Sequence, residues 1–431
     1  MSAAAALAIF AAAYVLIATE KVHRLAAALG GAWLMLALGL TDADAAFHSE
    51  DSGIDWNVIF LLLGMMMIVG VLKRTGVFEY IAIWAAKRAG GRPFRVMVLL
   101  CLFTAVASAV LDNVTTVLLV APVTLLLCDR LGLRPAPYLV AEALASNIGG
   151  TATLVGDPPN IIIASRGDLG FNDFLIHLAP LVLVLLVVFV GLCRVLFRDA
   201  FVHDPERVAE VMALDEREAI TDTRLLVQSL VVLAVVVAAF VLHTALHLEP
   251  SVVALLGAGL LVAVSRVTAE EAVREVEWPT LAFFMGLFVM VGALVETGVV
   301  GRLAHTAADA TEGRLTLATM VLLWASAFLS AIVDNIPYVA TMSPIVDQLV
   351  ASAPAGGPDP NVLWWALALG ADLGGNATAV GASANVVILG LAERSGNPIS
   401  FWEFTKYGLV VAVVTVALCV PYLYLRYLAF A

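Results

Sequence analysis

Charge is scarce in this chain. Asp, Glu, Lys and Arg make up 13% of its 431 residues, against about 25% in an ordinary soluble domain. A deficit of that size excludes a solvated globular protein. Cysteine is scarce too: Cys101, Cys128, Cys193 and Cys419 are scattered through apolar stretches with no CxxC or Cys/His spacing, which excludes a disulfide framework or a zinc site. No GxxxxGK[ST] loop is present, so any ATP drive would need a separate ATPase subunit. No basic run precedes the first apolar stretch, and Glu20-Lys21 follow it in place of a cleavage site, so it is expected to be a span and not a signal peptide. The net charge of −12 comes largely from acidic connecting segments and offers no surface for nucleic acid.

What fills the chain is hydrophobic sequence. Apolar residues make up 62% of it, in blocks such as 3–18, 25–40, 178–192, 225–242 and 409–425 that approach or exceed the ~17–25 residues needed to cross a bilayer. The expected fold is an all-α polytopic membrane protein. Ten spans are predicted near residues 3–19, 25–40, 56–72, 138–164, 178–196, 225–243, 251–265, 278–294, 362–391 and 407–427. Two further apolar regions, 95–128 and 315–349, are each interrupted by Asp-Asn between arms of about 15 residues, the pattern of a re-entrant hairpin. With both regions re-entrant, 19 of the 23 basic residues fall on one side and 4 (Arg166, Arg302, Arg314, Arg426) on the other. By the positive-inside rule both termini are expected outside a cell membrane.

The chain also repeats itself. Trp56–Gly76 aligns with Trp278–Gly298 at an offset of 222, with 7 of 21 positions identical. Ser108–Val123 aligns with Ser330–Ile345 at the same offset (6 of 16), and Gly149–Ile163 with Gly374–Ile388 at 225 (8 of 15). Each half therefore carries five spans and one hairpin, and an odd number of crossings inverts the second copy. The expected division is 1–200, a cytoplasmic linker at 201–223 whose Asp204–Glu210 run begins a short surface helix, and 224–431.

Membrane-depth backbone that leaves the helix must be buried in protein or face water. Four such breaks are predicted: Asp112 to Thr116, Asn147 to Asn160, Asp334 to Pro337, and Asp372 to Asn385. Gly149-Gly150 and Gly374-Gly375 let the chain leave helical geometry, with Gly156 and Gly381 further along, and Pro158-Pro159 delays its return. Asn113, Thr115, Thr116, Asn147, Thr151, Thr153, Asn160, Asn335, Asn376, Thr378, Ser383 and Asn385 supply neutral oxygens suited to a hard cation or a hydroxylated solute. Asp112, Asp157, Asp334 and Asp372 are the decisive carboxylates, since an ionised group at this depth costs at least about 2.5–3.5 kcal/mol. No Lys or Arg lies within any break, so these carboxylates must be protonated, bound to a cation or hydrated. Capping of their own turns is the competing reading. Glu142 and Glu296 read as interfacial, His177, His243, His247 and His305 as surface residues, and Met65–Met67 and the cysteines as packing. No resident cofactor or metal is expected, only a coupling ion, H+ or Na+. A channel would need a continuous pore. An intramembrane aspartyl protease is opposed by Ala382 standing where the repeat would place a second Asp157.

On SAVLDNVTTVLLVAPVTLLLCDRLGL, NIGGTATLVGDPPNIIIAS, VDNIPYVATMSPI and LGGNATAVGASANVVILGLAERSG, the sequence resembles the ion transporter superfamily, in the branch of ArsB-type arsenite permeases and the melanosomal P protein. The resemblance implies two hairpins meeting broken helices at mid-membrane, a homodimer with scaffold and mobile transport domains, and elevator-like movement. It reaches more distantly to sodium-coupled dicarboxylate carriers, which have Ser-Asn-Thr at their hairpin tips where this chain has Asp112 and Asp334. Carboxylates there repel a dianion, by about 4 kcal/mol per charge pair at 4 Å and an effective dielectric of 20. The expected cargo is therefore a small inorganic solute, arsenite or antimonite exported against protons, with Na+/H+ antiport as the first alternative and anion transport as the second.

Overall fold

The computed structural model describes residues 2–19, 22–49, 52–201, 205–213, 215–311, 313–353 and 357–429. Lys21 of the charge count and the first residue of the 204–210 run lie outside them. Among the described residues every regular element is helical. Numbering only the principal helices, the first half holds α1 (Ser2–Ala18), α2 (Arg24–Ala37), α3 (Trp56–Lys73), α4 (Val77–Arg88), α5 (Pro93–Val110), α6 (Asn113–Leu131), α7 (Pro135–Gly150), α8 (Pro158–Gly167) and α9 (Ala179–Leu196). The second half repeats the order as α10 (Thr223–Val241), α11 (Pro250–Val264), α12 (Trp278–Glu296), α13 (Val299–Ala310), α14 (Leu315–Ile332), α15 (Asn335–Ala351), α16 (Val362–Gly374), α17 (Ser383–Arg394) and α18 (Phe401–Leu423). Each helix in the first half thus has its mate nine labels later.

The expected ten crossings are recognisable. Five helices outside the hairpins are long and apolar enough to span (α3, α9, α10, α12, and α18 with its π-helical extension), three are shorter apolar helices (α1, α2, α11), and two are broken pairs (α7/α8 and α16/α17). The hairpin arms are longer than the expected 15 residues: 18 and 19 in the first, 18 and 17 in the second. At about 1.5 Å per residue an 18-residue arm is long enough to cross the hydrocarbon by itself, so length alone does not make these hairpins re-entrant. Their neighbours do. In the first half α5 runs beside α7 in the same direction, from Tyr138 Oη donating to Pro93 O at 3.2 Å up to Ser108 and Ser146, whose hydroxyls are 2.6 Å apart. The tip after Val110 therefore stops level with the α7/α8 break, while α8 carries the chain on for ten more residues. Ser330 Oγ donating to Ala371 O at 2.6 Å registers α14 against α16 in the same way.

Two glycine pairs show why these sequences take these shapes. Gly76 and Gly298 hold φ of +77° and +71° in the tight joints between α3 and α4 and between α12 and α13, a conformation that costs a residue with a side chain. Gly149 and Gly374 let α5 and α14 approach so closely that a Cβ would lie 2.2 Å from Ala105 O and 2.4 Å from Ala327 Cα. Proline inside α6 and α15 (Pro122, Pro344) again falls at mated positions.

Packing sorts the helices into two bodies. In one, α2 packs on α1 and α12, while α11 packs on α3 and α10. Small residues bring these crossings close: Gly64 lies against Ala254 and its mate Gly286 against Ala28. In the other, α5–α8 and α14–α17 interlock reciprocally, α6 on α17 and α15 on α8, with α9 and α18 alongside. The amphipathic α4 and α13 link the bodies and lie on α6 and α15. The short helix Pro205–Met212 packs on α6 and α4, so the inter-repeat segment covers the first half as well as joining the two.

Candidate functional site

The two hairpin tips dock on the two breaks by the same bonds. Asn113 N donates to Gly156 O at 3.1 Å and Asn335 N to Gly381 O at 3.2 Å. Asn160 Nδ2 reaches Gly150 O and Thr153 O, and Asn385 Nδ2 reaches Gly375 O and Thr378 O. Thr153 and Thr378 hydroxyls close the breaks onto Ala109 O and Ala331 O at 2.5 Å, and Thr151 donates to Asn147 O at 2.8 Å. These threonines and two asparagine amides satisfy backbone carbonyls that a broken helix leaves open, so for them the capping reading holds. Gly150, Gly156, Gly375 and Gly381 are the points where the two strands of each break touch.

Between the docked tips lies a polar centre shared by both repeats. Asp157 Oδ2 accepts from Asn113 Nδ2 at 2.8 Å and from Asn335 Nδ2 at 3.3 Å, so both tips converge on one carboxylate. Asn113 also reaches Asn147 Oδ1 at 3.2 Å, and Asn147 Nδ2 donates to Asn376 Oδ1 and Asn385 Oδ1, each at 3.0 Å. Asp372, the repeat mate of Asn147, is fully buried beside Thr151 and Asn160, both of which donate to backbone carbonyls and leave its two oxygens without a well-aligned donor, and it lies within electrostatic reach of Asp157. Thr116 Oγ1, Asn113 Oδ1, Asn160 Oδ1 and Asn376 Nδ2 are likewise buried without a partner. An unsatisfied buried polar group costs about 1–3 kcal/mol, and these groups make the centre the candidate site. Among the described residues, the side-chain donors at Asp157 and Asp372 are amides and a hydroxyl, from Asn113, Asn335, Asn160 and Thr151.

Asp112 and Asp334 lie outside that hydrogen-bonded network but within electrostatic reach of Asp157. Both are half-buried at the tips, and each caps its own helix: Asp112 Oδ1 accepts from Thr115 N at 2.8 Å, and Asp334 Oδ1 from Ile336 N at 3.0 Å. Thr115 enters through its backbone. The expectation that no basic residue neutralises the breaks fails at Asp334. Arg24, the first residue of α2, donates from Nη1 to Ser383 Oγ at 2.7 Å, and Ser383 in turn donates to Asp334 Oδ2. A cavity of about 300 Å³ opens beside this chain, and a second of about 260 Å³ lies at the pseudo-symmetric place, between α3, α8 and the start of α11.

Glu142 also corrects the sequence reading. It is buried in α7 and not interfacial, with Oε1 accepting from Thr124 at 2.5 Å and Oε2 unpartnered. Glu296 is exposed and accepts from Ser52, and Met65 and Met66 pack in the core. His247 and His305 are exposed, but His177 and His243 are half-buried, and His177 stacks on Trp365 and meets Tyr427 Oη at 2.5 Å. The four cysteines are buried and free. Arg24 and Glu142 were missed because each lies outside a break. For Glu142 a signal existed: it precedes Ser146-Asn147 by one turn on the same helix face.

The profile of the citrate transporter family matches residues 14–370. The chain belongs to that family. An uncharacterised transporter of Mycobacterium tuberculosis is 58% identical over 425 residues, covering 99% of both chains. The P protein of Homo sapiens is 34% identical across 96% of this chain, which spans 59% of that longer protein. The expected resemblance to the ion transporter superfamily and its P-protein branch is thereby shown. In fold, the crystal structure of the Alcanivorax borkumensis YdaH transporter superposes with a TM-score of 0.62 at 13% identity, covering 93% of this chain and 95% of that one. The protein is a multi-pass membrane transporter.

Proposed function

We propose that this family member is a secondary active carrier in which proton or Na+ exchange at the paired-tip centre drives a small neutral or cationic solute. The observation that carries the reading is the buried pair of Asp372, which has only Thr151 and Asn160 beside its carboxylate and no basic group bonded to it, and Asp157, which is held by amides from both tips. A carboxylate so placed is unstable as a bare anion and is satisfied by a proton, a cation or a hydroxylated ligand. Amide and hydroxyl groups around it suit As(OH)₃ or Sb(OH)₃, which makes arsenite or antimonite export the first substrate to test.

Citrate, the solute in the family's description, would bring several negative charges toward four aspartates, with Arg24 the one cation bonded at a tip. Na+/H+ antiport is the second reading, favoured by the same neutral oxygens. Scaffold and transport bodies of the kind described above would slide past one another to alternate access, in a homodimer in the cell membrane with both termini outside. Purified protein in liposomes under an imposed proton gradient should accumulate arsenite measured by mass spectrometry. Movement of Na+ without arsenite transfers the assignment to the antiporter, and citrate uptake without either overturns the charge argument.

A further inference from the structure

Arg24 joins the two bodies at one point. It begins α2, which packs on α1 and α12, yet its guanidinium bonds to Ser383 at the start of α17 and through it to Asp334 at the second hairpin tip. The guanidinium also lies 5.5 Å from the ring of Phe283 on α12, which fixes it to its own body. The chain of contacts sits in the wall of the 300 Å³ cavity, with Val380 and Val387 beside it.

The inverted repeat supplies an internal control. Exchanging the roles of the halves replaces Asp334 by Asp112, Ser383 by Pro158, and the start of α2 by the start of α11, whose N-cap is Glu249. Pro158 has no hydroxyl to relay a bond, and Glu249 has the charge of Asp112. The second cavity contains Glu249 and no arginine. The two faces are thus unequal: one offers a bonded counter-charge to its tip, and the other would set an acid against an acid.

We propose that Arg24 is a built-in counter-ion that latches the second hairpin in the present arrangement, and that the coupling cation competes with it for Asp334. The latch stands on the geometry alone, whereas the competition rests on the cation-coupled reading above. A bound cation removes the negative charge that holds the guanidinium. The bodies are then free to shift toward the arrangement in which the other cavity widens, where among the described residues Asp112 has no arginine bonded to it and lies within electrostatic reach of an acid, Glu277 at the start of α12, which also faces Arg24.

Single cysteines report each cavity, because all four native cysteines are buried. Val387→Cys marks the Arg24 cavity and Ser165→Cys the other, each labelled with an impermeant maleimide from both faces of the membrane. With no solute present, Arg24→Gln and Asp334→Asn should each slow labelling of Val387→Cys about fivefold or more and speed that of Ser165→Cys. The double variant should shift no further than either single change, and Arg24→Lys should fall between. Unchanged labelling in Arg24→Gln, or additive effects in the double variant, overturns the latch. Because lowering pH slows every maleimide reaction through the thiolate fraction, the ratio of the Val387→Cys rate to the Ser165→Cys rate is read: raising Na+ or lowering pH should lower that ratio in the otherwise unaltered protein and leave it constant in the Arg24→Gln background. Labelling that depends on Arg24 but ignores both cations keeps the latch and overturns the competition.

Discussion

Asp157 and Asp372 are both fully buried, but their surroundings set them different tasks. Asp157 accepts from two asparagine amides on opposite hairpins, so truncating it strands donors on both. Asp157→Ala is expected to lower stability by about 2–4 kcal/mol, read as a fall in melting temperature of detergent-solubilised protein. Asp372 has beside it only Thr151 and Asn160, which also donate to backbone carbonyls, so Asp372→Asn should lower the melting temperature less than Asp157→Ala while cutting coupled transport at least 100-fold. Equal effects of the two substitutions on stability would refute this division. Glu142 belongs to the same scale: Glu142→Gln keeps a group for Thr124 to meet, whereas Glu142→Ala leaves that hydroxyl and a cavity, and should melt earlier than the Gln variant.

Among elements, the hairpins and breaks form one unit used twice. Its tightest point is the glycine contact, where the obstructing atoms are backbone and cannot rotate away. Gly149→Ala and Gly374→Ala should therefore be comparably damaging, each reducing the yield of folded protein on size exclusion, while Ala at open Gly191 should be tolerated. The short helix Phe171–His177 carries a pH response of its own. Burial, with Arg426 nearby, holds the His177 imidazole below its ordinary value of 6.5. The unfolded segment then binds the proton more tightly, so this contact is fully supported above about 6.5 and weakens as pH falls toward the lower folded value. Protection of the amides of residues 171–177, measured by hydrogen exchange relative to the intrinsic rate at each pH, should fall between pH 7 and pH 5, and His177→Phe should abolish that dependence.

For the whole molecule, the sorting into two bodies predicts how it moves. Val187 on α9 and Leu256 on α11 are exposed and lie on different bodies, whereas Val231 on α10 shares a body with Leu256. Spin labels at Val187 and Leu256 should change separation by several Å when a transported solute is added, with the Val231–Leu256 distance fixed. A constant Val187–Leu256 distance during active transport would exclude sliding of the bodies. At 13% identity the YdaH transporter keeps the fold, so the frame tolerates wide divergence of sequence.

The sequence by itself determined the spans, the four breaks and the repeat, because hydrophobic length, proline and paired glycine act locally and the membrane enforces them strictly. It also placed Asn113, Asn335, Asp157 and Asp372 in one polar set. What it could not contain was which groups meet across hundreds of residues. Arg24 and Ser383 are 359 positions apart, and nothing near either predicts their bond. Length similarly misjudged the hairpin arms, whose tips stop level with the ends of α7 and α16 while α8 and α17 carry the chain on. Only tertiary structure decided that Asp157 is held by both hairpins, that Asp372 is buried beside Thr151 and Asn160, and that Asp334 has Arg24 bonded to it through Ser383. Hydrogen-bond partnership depends on positions within a few tenths of an ångström, which hydrophobic pattern does not encode.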